Sequence, residues 1–382
     1  MITILNDEQR QLKDSAQEFL ANKAPVAALR QLRDEGSADG FDRALWQEVV
    51  EMGWTTAIFP EEHGGLPDFG YKGLGAIFEL AGRNLSALPL LSSVVLGGGA
   101  IMAAGSAEQQ AQWLPAIIGG EALFTLAIDE NPRHHPLQID TKAEKAGEGY
   151  QLSGNKVLVQ DGHVATHFIV AARTSGENSA NPVKAMAGIS LFLVDAQAAG
   201  VAVTRTKMLD SRNAAKISFS NTPATLLGQI DAGFMPLNTA LDQGRIMLAA
   251  ELLGICKEAF DRTIAYMKER QQFGTIIGSF QALQHRVARL FVDLQLAEGS
   301  VAMALAALDA KDKQAAILAS LAKQQTSDLA EKMLNEAIQL HGGIGVTDEL
   351  DIGLFLKRGR VLSQLLGDGV FHRDRYAMMR GI

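Results

Sequence analysis

Between Arg270 and His285 the chain reads RQQFGTIIGSFQALQH, a helical pattern interrupted midway. Arg270 closes a long amphipathic run, Phe273-Gly274 breaks it, and a second apolar period begins at Phe280. An arginine fork delivers paired donors to anionic oxygens. Gln272 and Gln281 offer amide hydrogen bonds to polar edges, and Phe273 offers a flat apolar contact. The plainer alternative makes Arg270 and Gln281 solvated helix-end residues. Gln339 to Gly343, QLHGG, invites a similar pair of readings. Glycines such as Gly342 and Gly343 permit close backbone approach to a phosphate, and they also cap ordinary helices. In LDQGR, Asp242 and Arg245 have the spacing of a local ion pair on a helix surface, worth a few tenths of a kcal/mol. His134 and His135 lie in NPRHHPLQID without an accompanying carboxylate cluster, so they read as loop residues and no metal site is expected.

These residues need elements to position them, and 382 residues exceed what one hydrophobic core usually organises. With 47% apolar residues the chain is not expected to be disordered. A net charge of −8 and a pI near 5.6 argue against a nucleic-acid partner, which would need clustered Lys and Arg. Cys256 is the single cysteine, which excludes internal disulfides and suits a reducing compartment, the bacterial cytosol. Leu85 to Ala107 is uncharged and long, but Pro89 and Gly97-Gly98-Gly99 interrupt it. It is expected to form two buried helical pieces with close backbone approach, and no membrane association is expected.

The apolar spacing is mostly helical over residues 1–120. Short β-type runs separated by turn residues fill 121–230, among them LFTLAI, YQLSGNKVLV, THFIVAAR, ISLFLVD, VAVTRTK and KISFS. Helical steps of three and four return over 231–382, with helices expected from Ile246 to Met267, from Phe280 to Ala297, from Asp312 to Leu340 and from Asp351 to Leu366. The predicted fold is therefore mainly α with a β domain: an N-terminal helical domain, a central antiparallel β-barrel-like domain and a C-terminal four-helix bundle.

Four segments in this order, LWQEVVEMGWTTAIFPEEHGG, GYQLSGNKVLVQDG, YMKERQQFG with FQALQH, and QLHGGIGVTDE, resemble the acyl-CoA dehydrogenases, and the similarity covers nearly the whole chain. The resemblance implies FAD as cofactor and an oligomer, homo- or heteromeric. In it Arg270, Gln272, Phe273, Gln281, Gln339, Gly342 and Gly343 serve the flavin of a neighbouring subunit. It also implies that Leu126, Ile128 and Asp129 of LAIDEN, with Leu158, Val159 and Gln160 of KVLVQDG, stand where the family holds the flavin ring. The hydroxyl and aromatic groups usual there are missing. Asp242 and Arg245 match the segment that meets the adenine end of CoA.

The family's reaction removes the α-proton of an acyl-CoA thioester while flavin accepts hydride from the β-carbon, and electrons pass on to an electron-transfer flavoprotein. The base is a glutamate near the C-terminus or on the first bundle helix. On that helix the matching residue is Gly244, which cannot act. In QLLGDGVFHRD the match is Asp368, provided one or two residues are inserted. A carboxylate one methylene shorter sits roughly an ångström further back, and misplacement on that scale costs about a hundredfold in rate. The alternatives are that Asp368 caps a turn, or that the chain is the non-catalytic subunit of a heteromeric dehydrogenase, of the kind used in fatty acid or steroid catabolism.

Overall fold

The computed structural model describes residues 5–66 and 68–382. Helices come first: α1 (Asp7–Lys23), α2 (Val26–Asp34), α3 (Arg43–Glu51), α4 (Gly70–Asn84), α5 (Gly99–Ala104) and α6 (Ala107–Ile118). Strands follow as β1 (Phe124–Ala127), β2 (Lys142–Ala146), β3 (Gly149–Gln160), β4 (His167–Arg173), β5 (Ile189–Asp195), β6 (Val201–Lys207) and β7 (Asn213–Leu227), with the short helix α7 (Pro182–Met186) before β5. Then come α8 (Phe234–Glu269), a two-stranded hairpin of β8 (Gln271–Gln272) and β9 (Thr275–Ile276), and α9 (Gln281–Asp309), α10 (Ala315–His341), α11 (Ile352–Gln364) and α12 (Gly369–Arg380). The order helices, strands, helices is the expected one. α12 is an addition to the four bundle helices, and its sequence GVFHRDRYAMMR carries too few apolar residues to announce it.

The chain packs as two compact units. One comprises Leu32–Pro67 and Ala87–Gly244 and contains the β domain. Strand neighbours run β1-β4-β2-β3-β7-β5, and β5 pairs again with β4, so the sheet closes into a barrel. Leu152, Val159, Phe168, Val170, Phe192 and Ile217 fill its interior. The expectation of a purely antiparallel sheet needs correction. β1 pairs in parallel with β4, Phe124 opposite His167, and β2 meets β4 in parallel through one residue pair, Lys142 opposite Arg173. A single rung is a weak closure. There the buried Arg173 guanidinium donates to the carbonyls of Leu137, Ile139, Ala185 and Ala187 and to Asn178 Oδ1. In the same unit the uncharged stretch forms a π-helical turn, Leu90–Gly98, running into α5, and all of Leu90–Ile101 is buried. A methyl group on Gly97 would reach to 2.5 Å from Phe124 Cβ, which is the close approach the glycine run suggests.

The other unit comprises Met1–Gln31, Asp68–Ser86 and Arg245–Ile382. It is helical, with α10 packed against α9, α11 and α12, and α4 against α1 and α9. The steps of three and four along α8 bury Ile246, Ala249, Leu253 and Cys256, as helix-on-helix packing requires. α9 is long and apolar enough to cross a membrane by composition, and half of that apolar stretch is buried in the bundle. At its far end Asp309 accepts from Tyr71 N (2.6 Å) and Lys72 N (3.2 Å), so a carboxylate remote in sequence caps the first turn of α4.

Candidate functional site

The interrupted helix is more elaborate than a glycine break. α8 ends at Glu269, β8 and β9 form the smallest of hairpins, and Phe273 and Gly274 occupy its two-residue turn with φ of 55° and 76°. Two successive left-handed residues make a type I′ turn, which glycine tolerates and a bulky aromatic does not. Phe273 is nonetheless 92% exposed, and its ring meets that of Phe280 edge-on. Arg270, Gln272 and Gln281 are also exposed. Among the described residues no acceptor meets the Arg270 guanidinium, and the Gln272 amide reaches only the carbonyl of Gln271 (2.8 Å).

The QLHGG segment closes against this elbow. Met267, Ile277 and Leu340 form one apolar cluster with Tyr266, Leu283 and Val287. The Tyr266 ring lies 4.5 Å from that of His341, and its hydroxyl donates to His341 O (3.2 Å). Burial pushes the His341 imidazole below its ordinary pKa, while its contact with Ala337 O opposes that. Gly342 ends α10 as a cap with φ of 65°, its N–H bonded to Gln339 O. Space is open around Gly342 and Gly343, and the Gln339 side chain is exposed. The cap and an exposed, ligand-ready backbone therefore coexist.

Asp368 lies at the junction of α11 and α12. Its carboxylate accepts from Phe371 N (2.7 Å), making it the N-cap of α12, and it also lines a solvent-open cleft of about 180 Å³ with Ser327, Asp328, Ser363 and Arg373. The preceding Gly367 has φ of 111°, and a Cβ there would lie 2.4 Å from Phe371 and 2.9 Å from His372. A side chain at 367 would clash with both rings at a φ that favours glycine, so the acid of this turn cannot stand at 367.

Behind the turn sits a cluster that sequence reasoning missed. Lys323 on α10, fully buried, donates to Gly367 O (3.1 Å), Ser363 O (3.2 Å) and Ser327 Oγ (3.4 Å). Arg245 Nε donates to Leu366 O (3.2 Å), with its guanidinium over the Phe371 ring. His372 Nε2 lies 3.2 Å from the same carbonyl. Burial, then the Arg245 charge, pushes the Lys323 ammonium down to about 7, with Asp368 opposing. A lysine at a helical spacing reads as surface, and only QLLGDG, a chain reversal with two glycines and backbone carbonyls to satisfy, hints that a buried donor is required.

Of the two readings of Asp242 and Arg245, a surface ion pair or a contact to the adenine end of CoA, the surface pair is not what the structure shows. Both are buried, Arg245 completely, because α8 carries them into the interior of its packing, and Asp242 meets Asn238 Nδ2 (3.3 Å). In the β domain Leu126 and Ile128 are buried. Asp129 is occupied, its carboxylate facing His134 Nδ1 (2.8 Å) and accepting from His135 N (3.1 Å). Next to it fully buried Lys156 meets Glu130 (2.7 Å) and Ile128 O (2.9 Å). Burial pushes Lys156 down. Burial also pushes Glu130 up, but the Lys156 charge and the bonds from Lys156 and Thr141 prevail, so its carboxyl lies below the ordinary range. Gln160 offers its carbonyl to Thr125 Oγ1 (2.7 Å), a hydroxyl adjacent to the expected position. Leu158 takes φ of 53° where β3 bulges against β7.

Comparison with known proteins accounts for this layout. Residues 6–121 match the family model for the acyl-CoA dehydrogenase N-terminal domain, 130–222 the middle domain and 231–379 the C-terminal domain. Acyl-CoA dehydrogenase FadE27 of Mycobacterium tuberculosis is 31% identical over 80% of this chain and 79% of its own. The chain belongs to the acyl-CoA dehydrogenase family. Cyclohexane-1-carbonyl-CoA dehydrogenase of Geobacter metallireducens is 30% identical over 86% of this chain and 85% of its own. Among solved structures, a variant of the Tcur3481-Tcur3483 steroid ACAD is 29% identical with a TM-score of 0.87, covering 99% of both chains. The family is FAD-dependent. The elbow suits that cofactor, since an unengaged guanidinium, exposed amides and open glycine backbone are the donors a pyrophosphate takes. Of the β-domain positions, Leu126, Ile128 and Val159 are buried and the Asp129 carboxylate is committed within the domain.

Proposed function

We propose that the chain takes part in FAD-dependent α,β-dehydrogenation of an acyl-CoA thioester. The cofactor, when bound, supplies a two-electron acceptor. In this reading Arg270 grips its phosphates, Gln272, Gln281, Gln339 and the Gly342-Gly343 backbone hold its polar edges, and Phe273 covers an apolar face, all toward the flavin of a neighbouring subunit. Asp368 takes the α-proton, the electron pair of that C–H bond becomes the second bond between the α- and β-carbons of the enoyl-CoA, and the β-hydrogen would leave with its own pair as a hydride equivalent for the bound acceptor. Electrons then pass to an electron-transfer flavoprotein. The cyclohexane-1-carbonyl-CoA and steroid enzymes among the relatives favour a cyclic or branched acyl group.

The observation that carries the reading is the cluster uniting the elbow and the QLHGG turn, which gathers exposed donors that the fold itself does not use. Purified protein loaded with flavin should bleach anaerobically on adding an acyl-CoA. A flavin spectrum that no acyl-CoA alters would defeat the catalytic form of the proposal. The second reading, a subunit that completes a partner's flavin site without performing chemistry, is favoured by Gly244 and by the capping role of Asp368. It expects a colourless lone chain that gains flavin only when co-expressed with a related chain.

A further inference from the structure

Lys323 has no place in either reading, yet its position is costly. A fully buried ammonium whose three acceptors are all neutral forfeits its hydration without an ion-pair partner in hydrogen-bond contact. A methionine of similar length would pack there without that cost. What the ammonium does is specific: it draws together Ser363 O, at the end of α11, and Gly367 O, just before the acid. Between them Leu366 is held at φ of 57° and its carbonyl is turned toward Arg245 and His372. A left-handed leucine persists only when its surroundings over-determine it.

We propose that Lys323 is a positioning residue for the acid at 368, fixing the Leu366–Gly367 turn from within so that Asp368 lines the cleft. The inference rests on reading Asp368 as the base. The charged groups facing Lys323 are Arg245 on α8 and Asp368 at the start of α12; His372 on α12 shares the turn, and α11 presents the Ser363 carbonyl. With an ammonium pushed down to about 7, the strength of this clamp changes around neutral pH.

Three variants test it: Lys323→Met, Lys323→Gln and Asp368→Asn. Hydrogen exchange over residues 363–373, which requires no turnover, is measured beside the pH profile of flavin bleaching in flavin-loaded protein. Lys323→Met should fold, exchange the turn amides about tenfold faster or more, and lose about ten- to a hundredfold in rate with KM little changed. The wild-type rate should inflect near pH 7, and that inflection should vanish in Lys323→Met. Wild-type exchange and rate in Lys323→Met would overturn the proposal. Should the methionine variant not fold, Lys323→Gln decides: a protected turn without the inflection supports the clamp, and an intact inflection refutes it. Asp368→Asn keeps a capping oxygen and should show wild-type exchange with the rate lost at every pH. If it instead retains full rate, the assignment of the base falls and the positioning role falls with it, whereas the exchange data still report whether Lys323 holds the turn.

Discussion

Two chain reversals in the helical unit use the same kinds of donor in opposite ways. At the α11–α12 turn Lys323, Arg245 and His372 are buried and spent on the protein's own carbonyls. At the α8–α9 elbow Arg270, Gln272, Gln281 and Phe273 face outward, and the guanidinium meets no acceptor among the described residues. The first reversal is finished by folding, and the second keeps its donors exposed, as the proposed flavin role requires. The contrast separates a cation spent on the fold from one left exposed, by asking whose oxygen it satisfies.

The sharpest way to test the contrast is to remove the one group at the finished turn assigned to chemistry. Asp368→Asn should lower the rate of acyl-CoA-dependent bleaching about a thousandfold while leaving melting unchanged, since asparagine caps as well as aspartate. Stability should next depend on pH through Lys323. Its folded pKa of about 7 lies below the unfolded lysine value, so the unfolded state binds the proton first as pH falls. Unfolding free energy should therefore decline between about pH 10 and pH 7, by a few kcal/mol at most, and then level off; Lys323→Met should flatten that slope in denaturant titrations. Gly367→Ala, which forces a Cβ against Phe371 and His372 at positive φ, should cost about 3 kcal/mol by chemical denaturation. At the unfinished elbow the pattern reverses. Arg270→Ala should weaken flavin binding about a hundredfold, read by equilibrium dialysis, without moving the melting temperature of the flavin-free protein. The smallest effect is expected from Phe273→Asn, which relieves the left-handed strain and should stabilise the hairpin by about 1 kcal/mol while loosening flavin. A stability loss in that variant would mean that the phenylalanine serves the fold.

Much of this was legible in the residues, and the rest failed for identifiable reasons. Helical steps of three and four marked α8 to α11, and alternation with turn residues marked six of the barrel strands. β2 escaped because KAEKA buries only Ala143 and so shows almost no apolar alternation. The parallel partnership of β1 with β4 joins segments some forty residues apart, which local pattern does not encode. The hairpin within the elbow was hidden because its turn places phenylalanine where asparagine or glycine would have signalled it. Asp309 capping α4, and Lys323 holding a turn more than forty residues downstream, are likewise long-range bonds made by residues that look like solvated helix surface. Four motifs in order carried the family, and the acid-glycine pair already named Asp368, whereas its capping of α12 and the buried cluster behind it appear only in the structure.

The barrel closure at Lys142 and Arg173 has a dynamic consequence. A ring of strands whose shortest ladder is one rung should breathe at that rung, and the Arg173 guanidinium, tied to the carbonyls of Leu137 and Ile139 ahead of β2 and of Ala185 and Ala187 ahead of β5, is a latch across it. Local opening of the β domain would then begin at that seam and would have to break the bonds of the Arg173 guanidinium and those that Glu130 accepts from Asp140 and Thr141.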